Sequence, residues 1–368
     1  MRRLVCSLAL CALTPALTAA QPDAASWSVQ PSPNVPHYSD YLAHVAATSG
    51  SNAWAVGEYF NTGTGRTLVE HWDGQRWSVQ PSPSAGSAAG LAGVAATSAS
   101  SAWAVGFSAT GSTGTNRTLI EHWDGQRWAV QPSPNVGSGR NDLTGVAATS
   151  ASNAWAVGYV FRGSGIQTLI EHWDGQRWAV QPSPDLGTSN QLWSVAAASA
   201  GSAWAVGSYG NGTGPDQTLI EHWDGQSWAV QSSPGLSGQP SDLYGVTAIS
   251  ASSAWAVGRT AIGTGAVLIE HWDGRHWAVQ PSPSVAGHLG LDGVAATSAA
   301  NVWAVGSDSL KTLIEHWNGR RWAVQSSPSV GTQANVLYGV AATSASSAWA
   351  VGSHPAGRTL QTLVLNYH

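Results

Sequence analysis

Six Glu-His pairs are the residues whose types point most directly to chemistry, because a carboxylate beside an imidazole serves acid–base catalysis or metal binding. Neighbouring residues of a β-strand point to opposite faces of a sheet, and equivalent residues of different repeats lie far apart. Neither a catalytic pair nor a metal site is therefore expected. The histidines are predicted instead to form a hydrogen-bonding brace between strands or repeats. They are His71, His122, His172, His222, His271 and His316.

Three acidic residues outside the repeated positions are a second kind of candidate. Asp142, Asp242 and Asp292 each stand near the start of a predicted first strand and are expected to face a channel mouth. Glycoside cleavage needs two carboxylates roughly 5 to 9.5 Å apart, a separation that sequence does not establish. No catalytic triad, Cys/His metal spacing or phosphate-binding loop accompanies them. The sequence predicts no catalytic residue, no metal and no cofactor.

Aromatic residues outside the repeated positions all lie in or beside connections that vary between repeats. Trp193, Tyr244 and Tyr338 share one register, just after the first Leu of the first strand. Flat rings beside neutral Gly-, Ser-, Thr- and Asn-rich loops suit sugars, whose C–H faces stack on rings, and they also suit protein contacts. The predicted ligand-binding residues are Trp193, Tyr244, Tyr338, Tyr59, Tyr159, Tyr209, Asp142, Asp242 and Asp292.

A repeated unit carries all these candidates. The string Trp-Ala-Val-Gly occurs seven times, at spacings of 49, 52, 49, 51, 48 and 46 residues. Each unit has four strand signals, of the types Leu-x-x-Val-Ala-Ala, Ala-Trp-Ala-Val-Gly, Thr-Leu-Ile-Glu-His-Trp and Arg-Trp-Ala-Val-Gln. An Asp-Gly pair between the third and fourth strands predicts a two-residue type I′ hairpin turn. Four short antiparallel strands per unit indicate a β-propeller blade.

The two ends of the chain predict the number of blades. The repeats begin with a lone fourth strand at 27–30 and end after a third strand at 362–367. One strand from the start and three from the end complete a last blade, which leaves no free sheet edge. The predicted fold is therefore all-β: a single seven-bladed β-propeller over residues 27–368, closed by strand 27–30.

Connection lengths distinguish the two faces of such a propeller. The second-to-third connection has 9, 11, 9, 10, 8, 5 and 9 residues in successive repeats, whereas the first-to-second connection keeps its length. In an up-and-down blade, the second-to-third and fourth-to-first connections lie on one face. Binding residues are often carried by such loops on a rigid frame, although mere tolerance of surface loops gives the same pattern. This variable face is the predicted place of binding.

The N-terminal segment 1–20 has the pattern of a secretory signal, with two arginines, an apolar run and small residues at 18–20. Residues 21–26 form a short linker. We expect a secreted protein, attached to a membrane only if the segment is not cleaved. Both cysteines, Cys6 and Cys11, lie in this segment, so cleavage leaves no disulfide. The net charge of −5 argues against nucleic-acid binding, because such domains are usually basic.

The unit Trp-Ala-Val-Gly … Glu-His-Trp-Asp-Gly-x-x-Trp resembles that of uncharacterised bacterial exported propellers, described as BNR-like or WD-repeat-like. This resemblance covers residues 27–368 and implies the fold without an activity. A weaker resemblance, to bacterial seven-bladed tandem-repeat lectins, rests on His-Trp-Asp-Gly at 172–175 and on Trp178. It implies multivalent sugar binding between blades. The chain departs from sialidases, which have an Asp-x-Gly-x-x-Trp box and an arginine triad.

Together these observations predict a secreted, non-enzymatic binding propeller. The first hypothesis is recognition of a glycan or cell-envelope polymer through the variable face. The alternative is a protein-interaction scaffold on the same face, and a third hypothesis is a glycan-cleaving enzyme that uses the aspartates named above.

Overall fold

The computed structural model describes residues 25–61, 64–110, 115–212, 214–235, 239–260, 266–283 and 288–368. These residues form 28 β-strands and no helix, which makes the described part of the chain all-β. Accordingly, the same residues contain no helix long and apolar enough to cross a membrane. The predicted signal segment 1–20 and linker residues 21–24 lie outside these ranges.

The strands follow the sequence repeat, whose units are numbered 1 to 7 in chain order. Repeats 1 to 3 contain β2 (Ser39–Ser49), β3 (Asn52–Asn61), β4 (Thr64–Trp72), β5 (Trp77–Val79), β6 (Ala88–Ser98), β7 (Ser101–Thr110), β8 (Thr115–Trp123), β9 (Trp128–Gln131), β10 (Asn141–Ser150), β11 (Asn153–Arg162), β12 (Gly165–Trp173) and β13 (Trp178–Gln181). Repeats 4 to 6 contain β14 (Ser189–Ser199), β15 (Ser202–Gly210), β16 (Gln217–Trp223), β17 (Trp228–Val230), β18 (Ser241–Ser250), β19 (Ser253–Thr260), β20 (Ala266–Trp272), β21 (Trp277–Val279), β22 (His288–Ser298), β23 (Asn301–Asp308), β24 (Lys311–Trp317) and β25 (Trp322–Val324). Repeat 7 contains β26 (Val336–Ser344), β27 (Ser347–Ala356) and β28 (Thr359–Tyr367), and β1 (Trp27–Gln30) precedes repeat 1.

Each of repeats 1 to 6 folds as a four-stranded antiparallel sheet in which consecutive strands are neighbours. β1 pairs with β28, with Trp27 opposite Tyr367, so the first strand joins the sheet of the last three. A single parallel bridge between Ile166 and Ser189 links the sheets of repeats 3 and 4. First strands of consecutive repeats pack side by side, and β2 packs against β26. This all-β arrangement of four-stranded sheets is that of a β-propeller, as the sequence predicts.

The first strand of every repeat contains a β-bulge. In repeat 1 the pairing with β3 shifts between Leu42 and His44, so Ala43 has no partner of its own. Leu42 and Val45 are both buried, three residues apart, because the bulge interrupts the alternation of a regular strand. The same shift follows the corresponding Leu of the other six repeats. At this shift one residue per repeat, hereafter the bulge residue, is released from regular pairing.

The Gly of each Trp-Ala-Val-Gly string lies against this bulge. A Cβ atom on Gly57 would lie 1.9 Å from the carbonyl oxygen of Tyr41, far inside contact distance. The equivalent distance in the other six repeats is 1.9 to 2.1 Å. Any larger residue would push the first strand away, which explains the glycine at this position.

Tryptophans join each repeat to the next. The ring of Trp54 in repeat 1 lies 4.8 Å from Trp123 and 5.1 Å from Trp128 of repeat 2. Repeat 7 contacts repeat 1 in the same way, through Trp349 and Trp77 with ring centroids 5.1 Å apart. The second-strand tryptophans are the largest fully buried side chains. Burial of these rings, at about 25 cal/mol per Å² of apolar surface, stabilises the contact between neighbouring sheets.

Buried carboxyl groups join the same neighbours. In the segment that follows a repeat, the Ser that stands before a Pro donates a hydrogen bond to the third-strand Glu of the next repeat. Ser82 Oγ, for example, lies 2.8 Å from Glu121 Oε2. Burial raises the pKa of Glu121 to about 7 and that of Glu70 to about 8. These carboxyl groups therefore retain protons close to neutral pH. Equivalent hydrogen bonds join Ser32 to Glu70, Ser183 to Glu221, Ser233 to Glu270 and Ser282 to Glu315.

The turn between the third and fourth strands differs from the prediction. Trp72 pairs with Trp77, so the connection has four residues instead of two. Within it only Gly74 has a positive φ, of 93°, and the Asp73 carboxylate accepts from two backbone N–H groups at 2.8 and 2.9 Å. The predicted type I′ turn is wrong because the aspartate side chain acts as an acceptor for the loop backbone, as in an Asx turn.

Replacing Trp103 with Ala is expected to lower the unfolding free energy by about 3–5 kcal/mol, because it leaves a cavity between repeats 2 and 3. Trp123→Ala is the matched control. Its ring is half-buried and its indole donates to the Ala99 carbonyl at 3.1 Å, so a smaller loss is expected. Urea denaturation measures both variants, and equal losses would contradict the assignment of the second-strand tryptophans as the main inter-repeat contact.

Glu121→Gln is expected to gain stability relative to the unsubstituted chain as the pH rises from 5 to 8. The pKa of Glu121 is about 7 when folded and 4.5 when unfolded. The folded state binds the extra proton, and this stabilisation is lost as the pH rises through the folded pKa. Glutamine keeps an acceptor for Ser82 and has no charge to bury. The difference in unfolding free energy should approach about 3 kcal/mol at pH 8.

Urea denaturation at several pH values gives this difference. The repeated histidines, such as His122, have a pKa lowered by burial and give the fold a pH dependence of opposite sign. This contribution cancels when the unfolding free energy of the unsubstituted chain is subtracted from that of the variant. Asp216→Asn makes the same acid-to-amide change in an exposed loop and is the control for effects of the lost charge alone. A pH-independent difference for Glu121→Gln would mean that Glu121 is already ionised in the fold.

Candidate functional site

A cavity of about 190 Å³ lies where the first strands of the repeats converge. We call it the axial cavity. The sequence predicts one register for Trp193, Tyr244 and Tyr338, and the structure brings these side chains together with Asp292 in its wall. Large or charged bulge residues thus occupy repeats 4 to 7. The bulge residues that line it are, in chain order, Ala43, Ala92, Thr144, Trp193, Tyr244, Asp292 and Tyr338.

The opposite end of the same strands has a different lining. There the first strands contribute Ala and Val side chains, with Thr247 as the exception. Of these two ends, only the axial cavity contains aromatic and charged side chains. It lies where each first strand begins, which is the face of the variable connections.

Trp193 is the centre of an aromatic cluster. Its ring lies 5.7 Å from Tyr159 and 6.3 Å from Tyr244. Tyr159 does not line the axial cavity and supports Trp193 from outside it. The buried Nε1 of Trp193 has no hydrogen-bond partner in the described part of the chain. The same holds for the buried Nε1 atoms of the second-strand and fourth-strand tryptophans, so this atom does not by itself mark a ligand site.

Tyr244 is held by two charged side chains. Its hydroxyl donates to Asp242 Oδ2 at 3.2 Å, and the Arg259 guanidinium lies 5.1 Å over its ring. Arg259 Nε is 3.6 Å from Asp242. Burial, together with the charge of Asp242, raises the pKa of Tyr244. Asp242 therefore positions Tyr244 and balances Arg259, and its side chain does not line the axial cavity.

Asp142 is also bound by its neighbours. Arg140 forms an ion pair with it, and Asn116 of repeat 2 donates to Asp142 Oδ1 at 2.6 Å. The side chain is buried and lies outside the wall of the axial cavity. Asp142 thus joins repeats 2 and 3, and the structure does not bring it together with Asp292.

Asp292 differs from the other two aspartates. It is a bulge residue, it lines the axial cavity, and it has neither a hydrogen bond nor an ion pair to any residue that the structure describes. Burial raises the pKa of Asp292 to about 6, while Arg259 acts in the opposite direction. A carboxylate in this position is available to accept from a ligand or to pair with a cation.

Tyr338 of repeat 7 lies next to repeat 1. Its ring is 6.2 Å from that of Tyr41, whose hydroxyl donates to Glu58 Oε2 at 3.2 Å. Burial raises the pKa of both Tyr41 and Glu58. His44 also lines the axial cavity, with Nδ1 3.2 Å from the Val94 carbonyl oxygen. Sequence reasoning missed His44, although it stands where the other repeats have Gly or Ser.

Two of the predicted tyrosines lie away from the axial cavity. Tyr59 packs edge-on against Tyr38, with ring centroids 5.2 Å apart. Tyr209 packs against the hydrophobic core between repeats 3 and 4. Neither lines the axial cavity, so any contact of theirs with a ligand would lie farther out on the variable face.

The six repeated histidines pack on the second-strand tryptophans of their own repeats, with ring centroids 4.0 to 4.2 Å apart. His71 Nε2 lies 2.8 Å from Asn52 Oδ1, and His222 Nε2 lies 3.1 Å from Ser202 Oγ. Burial lowers the pKa of these histidines. No three His, Cys, Asp or Glu side chains converge as metal ligands within the ranges described.

Comparison with known proteins shows a likeness of fold. No family model matches the chain, and no curated protein matches it. A structure of YCF48 bound to D1 peptide is similar, with a TM-score of 0.59, 16% identity, and 96% of this chain and 98% of that chain covered. YCF48 from Cyanidioschyzon merolae has a TM-score of 0.57 and 14% identity, over 93% of this chain and 99% of that one.

The extracellular domain of the hybrid two-component system BT4673 from B. thetaiotaomicron is also similar, with a TM-score of 0.55 and 10% identity. The match covers 93% of this chain and 40% of that chain. At these identities the likeness concerns the fold alone. This chain is thus similar to these proteins in a β-propeller-like repeat fold.

The different surroundings of the aspartates give a stability test. Asp142→Ala is expected to lower the unfolding free energy by about 1–3 kcal/mol, because it leaves the buried Asn116 amide without its acceptor. Asp292→Ala should leave stability unchanged or raise it, since a desolvated carboxylate without a partner is removed. Urea denaturation at pH 7 compares the two, and a larger loss for Asp292→Ala would show that Asp292 has a structural partner.

Proposed function

We propose that this chain is a non-enzymatic binding protein that recognises a glycan or cell-envelope polymer at the axial cavity. The observation that carries this proposal is the convergence of Trp193, Tyr244 and Tyr338 around a cavity that also contains Asp292. The C–H faces of a sugar ring stack on aromatic faces, and its hydroxyl groups donate to a carboxylate. Both kinds of group are present within one small space.

The size of the axial cavity limits what enters it. At about 190 Å³ it is smaller than the pockets of about 300–1,000 Å³ that enclose a drug-sized ligand. One terminal sugar ring is therefore the unit expected to enter. The remainder of a longer glycan would lie across the variable face, where Tyr59, Tyr159 and Tyr209 are located.

We also propose that the repeats form seven blades in a closed ring over residues 27–368. Two observations support closure: β1 completes the sheet of repeat 7, and the inter-repeat tryptophan contact recurs between Trp349 and Trp77. A closed ring leaves no sheet edge exposed. It would also hold the bulge residues at fixed distances from one another, as a preformed binding site requires.

The charges around the cavity favour binding without cleavage. Glycoside hydrolysis uses two carboxyl groups roughly 5 to 9.5 Å apart. Asp142 and Asp242 are each paired with an arginine, and of the three predicted aspartates only Asp292 lines the axial cavity. This distribution supports a binding role over the alternative of a glycan-cleaving enzyme.

Secretion to the cell exterior or envelope is proposed from the N-terminal sequence alone. Segment 1–20 combines a short basic start, an apolar run and small residues before position 21. An exported protein would meet cell-surface glycans. N-terminal sequencing of the protein from the culture medium should then begin near residue 21.

A protein partner is the second candidate function, and a groove at the border of repeats 7 and 1 favours it. This groove has a volume of about 360 Å³ and is lined in part by His37, Phe60 and Arg358. Aromatic residues and arginine are enriched at the energetically important positions of protein interfaces. YCF48, which is similar in fold, has been solved with a bound D1 peptide. A partner that excess sugar fails to displace, and that Phe60→Ala releases, would favour this second function.

A glycan array probed with the full chain tests the first function. We expect a narrow set of hits, and Trp193→Ala and Tyr244→Ala should each weaken binding by about 30-fold, as for residues at the centre of an interface. Phe161→Ala is the matched control, because this aromatic residue is 40% exposed on the variable face and does not line the axial cavity. Hits that survive both cavity substitutions would place the site elsewhere, and a blank array would favour a protein partner.

A further inference from the structure

We propose that the glycan bound at the axial cavity presents a protonated amino group, as in a sugar with a free amine. This inference rests on the proposed glycan-binding function and names the chemical class of its ligand. Aromatic faces and one carboxylate around a small cavity bind an organic cation through cation–π attraction and an ion pair. The axial cavity contains both kinds of group.

The charges near the cavity leave an excess of negative charge. Arg259 is balanced by Asp242, with Nε 3.6 Å from Oδ2, and Arg140 is balanced by Asp142. Asp292 has no such counter-charge within hydrogen-bonding reach in the described residues. The carboxylate that lines the cavity is therefore the one whose charge remains for a ligand.

The aromatic rings in the cavity wall differ in whether a cation already lies over them. Arg259 already lies over Tyr244, at 5.1 Å from the ring centroid, which shows that this ring accepts a cation on one face. No cation lies over Trp193 or Tyr338 among the residues that the structure describes. Tryptophan has the most favourable face for a cation, and removal of water from the site strengthens the attraction.

A neutral sugar would complement this cavity less well. Its entry would displace water from the Asp292 carboxylate and return only hydroxyl hydrogen bonds to a charged group. Leaving a charge desolvated without a counter-charge is strongly unfavourable, whereas a protonated amine restores the charge balance. The unpaired carboxylate thus selects for an amine and against its acetylated form.

The charge of Asp292 also makes the binding depend on pH. Burial raises its pKa to about 6, so the carboxylate is ionised at pH 7 and protonated at pH 5. The other charged or titratable groups that line or adjoin the cavity are Arg259, Asp242, Tyr244, Tyr338 and His44. Binding of an amine that stays protonated throughout this range is therefore expected to weaken as the pH falls from 7 to 5.

Isothermal titration calorimetry with three small probes tests the inference on the full chain, at pH 7 and about 0.15 M salt, which screens long-range attraction to the acidic protein. Tetraglucosamine supplies four amines on a sugar backbone. Its fully N-acetylated counterpart has the same backbone without the charge. Tetralysine supplies four side-chain amines without a sugar.

Tetraglucosamine is expected to bind at least about tenfold more tightly than its acetylated counterpart, which is about 1.4 kcal/mol. Asp292→Asn should abolish this difference, because it removes the charge that pairs with the amine. Asp216→Asn makes the same charge change in an exposed loop and should preserve the difference. Urea denaturation confirms that both variants remain folded.

Equal affinities for the two sugars, or a preference that survives Asp292→Asn, would overturn the inference and leave glycan binding in place. Tetralysine that binds as tightly as tetraglucosamine would overturn the sugar class in favour of a basic peptide. If neither sugar binds but a neutral glycan binds on the array, the inference of an amine-bearing ligand is rejected and glycan binding stands. Failure of both sugars with a blank array would reject the proposed function as well.

Discussion

A close steric contact between two strands underlies the rest of this structure. In each repeat the second-strand Gly lies so near the first strand that a Cβ would stand 1.9 to 2.1 Å from a carbonyl oxygen. That approach accompanies the bulge, which places Leu42 and Val45 together in the core and leaves Ala43 at the axial cavity. One backbone feature therefore fills the core and presents one side chain per repeat to the axial cavity. Because the bulge residue is outside the core, it varies between repeats without disturbing their packing.

The sequence predicts the fold well because the determinants of the fold are local and repeated. The second-strand tryptophans mark strands that then pack on the next repeat, so their periodicity indicates both the sheets and their neighbours. The common register of Trp193, Tyr244 and Tyr338 predicts that they converge, and the structure places all three in one cavity wall. The Leu-x-x-Val spacing of the first strands already indicated the bulge. A regular strand places residues two apart on the same face, whereas these two apolar residues are three apart.

Pairing between side chains of distant strands could not be predicted in this way. Asp142, Asp242 and Asp292 look equivalent in the sequence because each stands near the start of a first strand. Their registers differ by two residues, since Asp142 and Asp242 precede the Leu and Asp292 follows it. The partners of the first two, Asn116 and Arg259, come from other strands. Only the folded arrangement shows that two of these carboxylates are satisfied and that the third faces the cavity.

Two sets of carboxyl groups respond to pH in opposite ways. The glutamates between repeats, such as Glu121 and Glu70, stabilise the fold while protonated, and burial holds their pKa at about 7 to about 8. Asp292 attracts a cation only when ionised, above its pKa of about 6. Burial is the main cause in both sets, and the values differ because an aspartate has a lower ordinary pKa than a glutamate and because the charge of Arg259 lowers the pKa of Asp292. The carboxyl groups that hold the repeats together are thus different residues from the carboxylate at the proposed site, so a change at the site leaves the contacts between repeats in place.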